Sequence, residues 1–524
     1  MLERSVPVPY ELVRPLGQGG FGEVFLVRDP QRGDVALKRL LRVDPASIAR
    51  FKNEFRLLQG IRNPALATLF ELTKIEDGWY LLMEYVAGDH FTSWVRPGGD
   101  GFSSPTMPDV GNQTVPSIAG AGGPAFDEAR LRDALRRLAG GLVALHEGGL
   151  IHRDLKPSNV LVKADGRVVI LDFGLAAAPV GDSHQSIEAK LMGTPGYIAP
   201  EQARAMPITR AVDWYAVGVM LFEALTGRRP YIGSVRDILE AQLGRTPPDP
   251  GAFGRQVPDD LRTLCMRLLA AEPTARPDGP EVLAALGGAP VTVATPRPLF
   301  VGRSVELDVI ASSLDALAGH GPSVVHVVAP SGFGKSALLV RALADARERT
   351  AAVVLAGRCY EREAVPFKAI DPLIDALADH LRRQSPEDVL GVMPRDAFAL
   401  CRMFPALGQV DELARAPDPE KVENPEEIRR RAVLAMRDML ARIADRKPLV
   451  LAIDDLQWGC LDSARLLADL LAPPSAPRLL LLLCHRPQEH APSSAVATLR
   501  ARLDASGIIQ RTVSLGPLAA SDAE

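Results

Sequence analysis

The sequence from His152 to Asn159, with an Asp-Phe-Gly triplet downstream at Asp172, constrains this chain more than any other feature. Phosphoryl transfer needs a hydroxyl in line with the γ-phosphate and a metal that neutralises charge, and it needs little covalent chemistry from the protein. Asp154 is the candidate base that accepts or orients the hydroxyl proton, and Lys156 can steady the transferring phosphate. Asn159 and Asp172 supply oxygen ligands for Mg²⁺. The spacing therefore predicts a phosphoryl-transfer site.

A glycine-rich segment near the N-terminus predicts a loop that covers phosphates. Gly17, Gly19 and Gly22 leave the backbone free to approach a phosphate where a Cβ would clash. A strand-like segment follows instead of a helix, which disfavours a dinucleotide-binding fold. The next apolar strand carries one inward lysine, Lys38, which we predict to contact the α- and β-phosphates. Glu54, on an amphipathic helix, is its predicted ion-pair partner.

The apolar segment from Tyr80 to Val86 predicts a buried strand that runs into a linker whose backbone can bind adenine. Met83 would stand behind the base. The other predicted contacts with the nucleotide come from both sides of the base and from the linker: Leu16, Val24, Ala36, Glu84, Val86 and Leu161. Core packing is the alternative interpretation for these residues, and both interpretations can hold together.

Residues 10–285 resemble the eukaryotic-like protein kinases of bacteria, and Lys156 in its Asp-Leu-Lys-Pro context resembles the serine/threonine class. The segment Gly193–Glu201 resembles the end of an activation segment, and Asp213 resembles the start of the buried helix that follows it. Arg276 matches the arginine that pairs with the glutamate ending that segment. The resemblance implies an α+β bilobal fold with a small β-rich N-lobe and a helical C-lobe. It also implies ATP and Mg²⁺ as cofactors and proteins phosphorylated on serine or threonine as substrates.

Three hydroxyl side chains between the two motifs are candidate phosphorylation sites. Ser183 and Ser186 are the favoured candidates, because Arg153 directly precedes the candidate base and could pair with a phosphate in this segment. Thr194 is the third candidate, with a hydrogen bond to Asp154 as the alternative role of its hydroxyl.

Segments rich in glycine and proline indicate the boundaries of the domains. Residues 96–125 show no periodicity and predict a flexible surface insertion in the C-lobe. Residues 286–298 predict a linker. The first domain is thus expected at 10–285 and a second at 299–524.

The second domain contains its own phosphate-binding motif. An apolar strand precedes a loop from Ala329 to Ser336, and a helix follows. Backbone amides at Gly332 and Gly334 would cradle the phosphates, Lys335 would reach the β- and γ-oxygens, and the Ser336 hydroxyl would bind Mg²⁺. Ala329 replaces the usual first glycine of such a loop.

Two acids at the end of a further apolar strand support this second site. Asp454 suits a water-mediated contact with Mg²⁺, and Asp455 could polarise the attacking water. Arg486 ends a third strand and could sense the γ-phosphate, or it could form a loop salt bridge. Residues 299–524 resemble the STAND signal-transduction ATPases of the AAA-like group, which implies an α/β P-loop domain acting as a slow nucleotide switch. The resemblance leaves open weak ATPase activity and self-association, and it implies a domain incomplete at its C-terminus.

The composition excludes several classes of function. A net charge of −4 over 524 residues gives no broad basic surface, so we expect neither nucleic-acid nor membrane binding. Five cysteines without close pairing fit a reducing cytoplasm and argue against a zinc site or a disulfide framework.

Two functions remain. The first is an ATP-dependent protein serine/threonine kinase in cytoplasmic signal transduction, regulated by a C-terminal nucleotide-binding switch. The alternative is a STAND-type regulatory ATPase scaffold with an accessory kinase domain. The intact signature around Asp154 favours the first. Relatives of the second domain would continue beyond Leu518, so a fragment of a longer protein is a further expectation.

Overall fold

The computed structural model describes most of the chain in several stretches: residues 7, 9–18, 22–76, 78–97, 126–173, 195–253, 256–288, 300–318, 321–417, 424–487 and 494–518. The chain divides into two compact units. The first comprises Met1–Leu41, Arg50–Glu71 and Tyr80–Ala294, and the second comprises Arg42–Ala49, Leu72–Trp79 and Thr295–Glu524.

The N-terminal part of the chain forms an antiparallel sheet in the order β1-β2-β3-β5-β4. Its strands are β1 (Glu11–Gln18), β2 (Gly22–Asp29), β3 (Gly33–Leu40), β4 (Leu69–Ile75) and β5 (Gly78–Glu84). Helix α1 (Pro45–Leu58) lies between β3 and β4 in sequence. Phe51, Phe55 and Leu58 recur at helical spacing and are buried, which fixes the face that α1 turns inward.

Helices dominate the remainder of the first unit: α2 (Phe91–Val95), α3 (Glu128–Glu147), α4 (Pro200–Ala203), α5 (Ala211–Thr226), α6 (Val235–Gly244), α7 (Asp259–Leu268) and α8 (Gly279–Ala285). Three short strands, β6 (Gly88–His90), β7 (Val160–Lys163) and β8 (Val168–Ile170), form a small sheet beside them. Helix α5 is apolar on every side and almost wholly buried, so it forms the centre of this helical part. It ends at Gly227, whose φ of +78° suits a residue without a Cβ.

The second unit is built on a parallel sheet in the order β10-β12-β13-β9-β14. The strands are β9 (Ser323–Val328), β10 (Val353–Arg358), β12 (Leu449–Asp454), β13 (Leu479–His485) and β14 (Ile509–Ser514). Every residue of β12 and β13 is buried, as expected for a parallel sheet covered on both faces. In the same unit, a two-residue strand, β11 (Glu363–Ala364), pairs in parallel with Leu72 and Thr73.

The helices of the second unit include one directly after the phosphate-binding loop and one after the strand that ends in two acids. They are α9 (Ser304–Asp315), α10 (Lys335–Thr350), α11 (Asp371–Arg382), α12 (Pro386–Val392), α13 (Ala397–Met403), α14 (Asp411–Ala414), α15 (Pro425–Arg446), α16 (Leu461–Leu471) and α17 (Ala495–Ala505).

These elements confirm the expected fold class, a β-rich N-lobe and a helical C-lobe followed by an α/β unit with a parallel sheet. Of the expected insertion at 96–125, only residues 96 and 97 lie within the described ranges, and of the linker at 286–298 only residues 286–288 do. None of the helices in the described ranges combines the length and apolarity needed to cross a bilayer.

Candidate functional site

Lys38 on β3 contacts two carboxylates in the first unit. Its Nζ lies 2.9 Å from Glu54 Oε2 and 3.0 Å from Glu54 Oε1, so the expected ion pair is present. The same Nζ lies 2.7 Å from Asp172 Oδ1. This second contact was not expected from the sequence, which suggested only a metal-binding role for Asp172. The structure thus joins the β3 lysine, the α1 glutamate and the Asp-Phe-Gly aspartate in one cluster.

The charges in this cluster are interdependent. The Lys38 ammonium lowers the pKa of Asp172 to about 2, against the opposing effect of burial. Burial raises the pKa of Glu54 more than Lys38 lowers it. Burial alone would lower the pKa of Lys38, but Asp172 and Glu54 together raise it. Lys38 therefore stays charged and Asp172 stays ionised at neutral pH.

The catalytic-loop residues converge on Asp154. Lys156 Nζ lies 2.8 Å from Asp154 Oδ2. Asn159 Nδ2 donates to the backbone oxygen of Asp154 at 2.8 Å and lies 3.3 Å from Asp154 Oδ2. Because the Asn159 amide nitrogen is used in these bonds, its Oδ1 points elsewhere and suits a metal ligand. The structure thus brings a carboxylate, an ammonium group and a carboxamide together.

Asp213, the buried carboxylate near the start of α5, fixes the backbone of this loop. It is 1% exposed and accepts hydrogen bonds from the backbone N–H groups of His152 at 2.8 Å and Arg153 at 2.9 Å. His146 Nε2 lies 2.8 Å from the same carboxylate. Arg153 has a φ of +69°, a left-handed conformation that these contacts hold in place. From the sequence, Asp213 was expected only as the start of a helix, although an acid inside an apolar helix is itself a signal of such a role.

Several residues predicted to contact adenine are neighbours in the structure. Val86 is 6% exposed and packs in one apolar cluster with Leu161. Ala36 lies opposite Met83 in the register of β3 and β5, and Val24 lies opposite Lys38 in the register of β2 and β3. Their contact with adenine stays a prediction.

Glu84 at the end of β5 makes contacts that the sequence did not suggest. Its N–H donates to Thr68 O at 2.8 Å, so that donor is already satisfied. Its carboxylate accepts two hydrogen bonds from Arg167, at 2.7 and 3.0 Å. Arg167 also donates to Pro64 O at 2.9 Å. The Glu84 side chain is therefore engaged by Arg167, and any adenine contact at this residue must come from its carbonyl.

The glycine-rich loop lies partly outside the described residues. Leu16 is half-buried in β1, and nothing lies within 4 Å of a Cβ built on Gly17, so this backbone is open to a ligand. A Cβ on Gly22 would stand 2.5 Å from Arg39 O, so close strand packing already requires glycine there. Gly19 lies outside the described ranges. The candidate phosphorylation sites Ser183, Ser186 and Thr194 also lie outside the described ranges.

The second unit shows a formed phosphate-binding loop. Gly332 and Gly334 have φ values of +88° and +86°, which L side chains rarely adopt. Lys335 Nζ donates to the carbonyls of Ala329 at 2.8 Å and Pro330 at 2.9 Å. These contacts fold the lysine back over the loop, where its ammonium would meet bound phosphates.

The acids at the end of β12 have different partners. Asp454 Oδ2 accepts from Ser336 Oγ at 2.6 Å, which brings together the two expected Mg²⁺ contacts. Asp455 Oδ2 accepts from Arg358 at 2.7 and 2.9 Å, and its Oδ1 accepts from Gln457 at 2.8 Å. Both oxygens of the expected water-polarising acid are therefore engaged.

Two arginines, Arg486 and Arg358, contact residues at or just after the end of β12. The Arg486 guanidinium lies 5.8 Å from the centroid of the Trp458 ring, and its backbone N–H donates to Gln457 Oε1 at 3.2 Å. A role of Arg486 in sensing the γ-phosphate stays a prediction. Arg358 ends β10 opposite Asp454 in the register with β12 and contacts Asp455, a role that was not expected from the sequence.

Comparison with protein families matches both units. The protein kinase domain model matches residues 10–285, and the AAA ATPase domain model matches residues 299–483. The expected resemblance to a kinase followed by an AAA-type ATPase domain is thus confirmed.

Similar proteins include several bacterial kinases. Serine/threonine-protein kinase pkn2 of Myxococcus xanthus is 32% identical over 289 residues, which cover 52% of this chain and 31% of that protein. Serine/threonine-protein kinase PrkC of Bacillus subtilis is 27% identical over 281 residues, which cover 53% of this chain and 39% of that protein. Serine/threonine-protein kinase PknD of Chlamydia caviae is 30% identical over 287 residues, which cover 51% of this chain and 29% of that protein. The chain spans roughly a third of the length of the curated relatives it matches.

Proposed function

Because this chain belongs to the protein kinase domain family, we propose that it is an ATP-dependent kinase that phosphorylates proteins on serine or threonine. The observation that carries the proposal is the contact of Lys38 with both Glu54 and Asp172. This cluster places a charged lysine beside an ionised aspartate, the arrangement needed to hold the phosphates of ATP. The names of pkn2, PrkC and PknD, each a serine/threonine-protein kinase, support the class of acceptor.

The side chains around Asp154 suggest how the transfer proceeds. The substrate hydroxyl donates to Asp154, which orients it and takes its proton as the oxygen bonds to the γ-phosphorus. The bond from phosphorus to the β-γ bridging oxygen breaks, and ADP leaves with that electron pair. Lys156, 2.8 Å from Asp154, offsets negative charge on the transferring group. Lys38 binds the α- and β-phosphates.

Asn159 and Asp172 fit the Mg²⁺ that such a reaction requires. One presents an amide oxygen and the other an ionised carboxylate, and these are the hard oxygen ligands that Mg²⁺ takes together with substrate phosphates and water. The metal, when bound, neutralises phosphate charge. Within the described ranges no cluster of three or more His, Cys, Asp or Glu offers an all-protein metal site, so a site shared with ATP is the consistent arrangement.

We propose further that the domain at 299–524 regulates the kinase domain at 10–285 through nucleotide binding. The support is a P-loop in which Lys335 contacts the Ala329 carbonyl and Ser336 contacts Asp454, on the same chain as the kinase motifs. If the proposal holds, Lys335→Ala changes the rate of phosphate transfer at saturating ATP. Equal rates for wild type and variant would contradict regulation and leave the kinase assignment standing.

A gel assay with γ-labelled ATP and a generic protein substrate tests the kinase function. We expect label in the substrate and, after acid hydrolysis, in phosphoserine or phosphothreonine. A preparation that binds ATP at both sites but transfers no label would favour the regulatory scaffold.

The five cysteines, all free in the structure, support action in a reducing compartment such as the cytoplasm.

A further inference from the structure

Two buried histidines face each other inside the parallel sheet of the second unit. His326 lies on β9 and His485 lies at the end of β13, and they are 0% and 3% exposed. His326 Nδ1 lies 3.2 Å from His485 Nε2, and the two rings meet edge to face with their centroids 5.4 Å apart. Neither histidine belongs to the P-loop motif. An imidazole pair destabilises the core of a sheet unless its ring nitrogens are hydrogen-bonded.

The outer nitrogen of each ring meets an acceptor. His485 Nδ1 lies 2.9 Å from the backbone oxygen of Arg486, which can only accept. His326 Nε2 lies 3.0 Å from Gln510 Oε1. The Gln510 amide is oriented by its nitrogen, which donates to the Asp504 carboxylate at 2.6 Å and to a backbone oxygen of α17 at 3.2 Å. Each outer ring nitrogen must therefore carry a hydrogen.

The inner nitrogens of the pair are the place where one further proton fits. A neutral imidazole carries one hydrogen, so in a neutral pair the inner nitrogens of His326 and His485 carry none. Two lone pairs then face each other across 3.2 Å. One added proton turns this repulsion into a hydrogen bond, and all three contacts of the pair are then satisfied. The geometry of the pair is that of a binding site for a single proton.

Burial and positive charge oppose that proton when no ligand is bound. Burial and the Arg500 guanidinium on α17 lower the pKa of His326 to about 3. Burial also lowers the pKa of His485, and the charges of Arg500 and Lys335 act in the same direction. We therefore expect the pair to be neutral in the ligand-free protein at neutral pH. The other charged side chains next to this network are those of Asp504, Arg486 and Asp455.

The pair is connected to the phosphate-binding loop. His485 O accepts from the backbone N–H of Ala329, the first residue of the loop, at 3.3 Å. The Ala329 carbonyl in turn accepts from Lys335 Nζ at 2.8 Å. Bound phosphates would balance the Lys335 charge, which is one of the charges that oppose a proton on His485. Nucleotide binding therefore makes the proton site between the rings more favourable.

The pair is also connected to the acids at the end of β12. Arg486, whose carbonyl contacts His485, donates its backbone N–H to Gln457 Oε1 at 3.2 Å. Gln457 Nε2 then donates to Asp455 Oδ1 at 2.8 Å. A continuous series of hydrogen bonds thus joins the ring nitrogens to the acid expected to polarise water.

We propose that the His326–His485 pair takes up one proton when nucleotide binds to the P-loop, so that binding at the second site strengthens as pH falls. The complex holds the proton more tightly than the free protein, and by linkage the affinity for nucleotide rises as pH falls through the pKa of the pair in the complex. The inference rests on the proposed nucleotide binding at residues 299–524 and gives that site a regulatory input, the proton concentration.

Calorimetry with MgADP in two buffers of different ionisation enthalpy counts the protons taken up on binding. A pair that returns in the complex to the ordinary histidine pKa of about 6.5 takes up about half a proton at pH 6.5. The affinity of the second site then rises about threefold for each unit by which pH is lowered. Wild type is expected to take up about half a proton more than Lys335→Ala, which fills only the kinase cleft. This comparison leaves the core of the sheet unaltered.

A histidine variant assigns the proton to the pair. His326→Asn places an amide nitrogen near the position of the ring Nδ1, and this nitrogen donates to His485 Nε2 without binding a proton. The variant is expected to bind two nucleotide equivalents and to lose the additional half proton. His380→Asn is the matched control, because His380 is a half-buried histidine on α11 of the same unit and belongs to none of these contacts. It should keep the wild-type uptake.

Two results would overturn the inference, and both differ from a failure of the second site itself. Uptake that agrees to within about 0.1 proton between wild type, with two equivalents bound, and Lys335→Ala, with one, would mean that no proton accompanies binding. Full uptake in His326→Asn with two equivalents bound would place the proton elsewhere. Wild type that binds a single nucleotide equivalent would remove the proposed second site and the inference with it.

Discussion

The two nucleotide sites hold their lysines in opposite ways. Lys38 in the kinase cleft contacts two carboxylates, Glu54 and Asp172. Lys335 in the P-loop contacts two neutral carbonyls and no carboxylate within the described part of the chain. Both ammonium groups are buried. The first charge is balanced before ATP arrives, whereas the second is left for the ligand to balance.

This difference assigns different tasks to the two lysines. A lysine whose charge is balanced gains little from binding ATP in the ground state and contributes mainly by aligning phosphates for transfer. A lysine with only carbonyl partners gains a full charge partner when phosphates bind, so it should contribute mainly to affinity. We therefore expect substitutions at Lys38 to reduce turnover and substitutions at Lys335 to reduce binding.

The largest expected effect is at Lys38. Lys38→Met should lower the initial rate of phosphate transfer by about 10² to 10³, because it removes the cation that aligns the phosphates. Nucleotide binding at the P-loop should be unchanged, as measured by calorimetry. Lys74→Met, an exposed lysine on β4, is the control and should keep the wild-type rate. A Lys38→Met rate within threefold of wild type would break the contrast between the lysines.

Asp455 should control hydrolysis at the second site without controlling binding. Asp455→Asn is expected to lower ATP hydrolysis there by about 10², because an amide polarises water poorly, while bound ATP persists. A Lys38→Ala background removes turnover at the kinase cleft, so hydrolysis then reports the second site, and binding there is read as the second of two nucleotide equivalents. Asp462→Asn, an exposed acid on α16, serves as the control. Loss of ATP binding in Asp455→Asn would contradict this prediction, because it would show that Asp455 stabilises bound ATP itself.

Lys335 should control affinity. Lys335→Ala is expected to weaken ATP binding at the second site by about 10- to 100-fold, since it removes the charge that faces the β- and γ-phosphates. Calorimetry should then find one of two nucleotide equivalents lost and the kinase cleft still filled. Arg341→Ala is the control, because Arg341 is exposed on α10 and paired with Asp345; this variant should still bind two nucleotide equivalents. Two equivalents in Lys335→Ala would contradict the assignment.

Arg358 should have the smallest effect. It is 51% exposed and holds one oxygen of Asp455, so Arg358→Ala is expected to free that oxygen and raise hydrolysis roughly two- to fivefold, the scale of an exposed ion pair. Arg349→Ala removes a comparably exposed arginine paired with Asp315 and should leave the rate unchanged. A slower rate in Arg358→Ala would mean that Arg358 itself contacts the phosphates.

Local pattern was sufficient to predict some of these contacts. Glu54 could be matched to Lys38 because Phe51 and Phe55 mark the buried face of α1, and that face carries the glutamate inward. Lys335 and Ser336 could be placed because loop and helix follow one another directly in sequence. In both cases the local sequence pattern determines where the residue lies and which way its side chain points.

Other contacts depend on elements far apart in the chain and gave no local signal. Asp172 meets Lys38 across 134 positions, and Arg358 meets Asp455 across 97. The Arg358 contact follows from the pairing of β10 with β12, and the Asp172 contact joins a strand of one sheet to the segment after β8 of another; composition and periodicity determine neither. Gly22 shows a different limit of sequence reasoning. The motif suggested a phosphate-binding role for this glycine, but the close approach of Arg39 O also leaves no space for a Cβ there.

The Asp154→Asn variant tests the central claim most directly, because Asp154 is the carboxylate that contacts both Lys156 and Asn159. The measurement is the initial rate of label transfer from γ-labelled ATP to protein, with nucleotide stoichiometry determined on the same preparation. The account predicts a rate about 10² to 10⁴ below wild type, with two nucleotide equivalents still bound. A variant that keeps more than about half of the wild-type rate would contradict it.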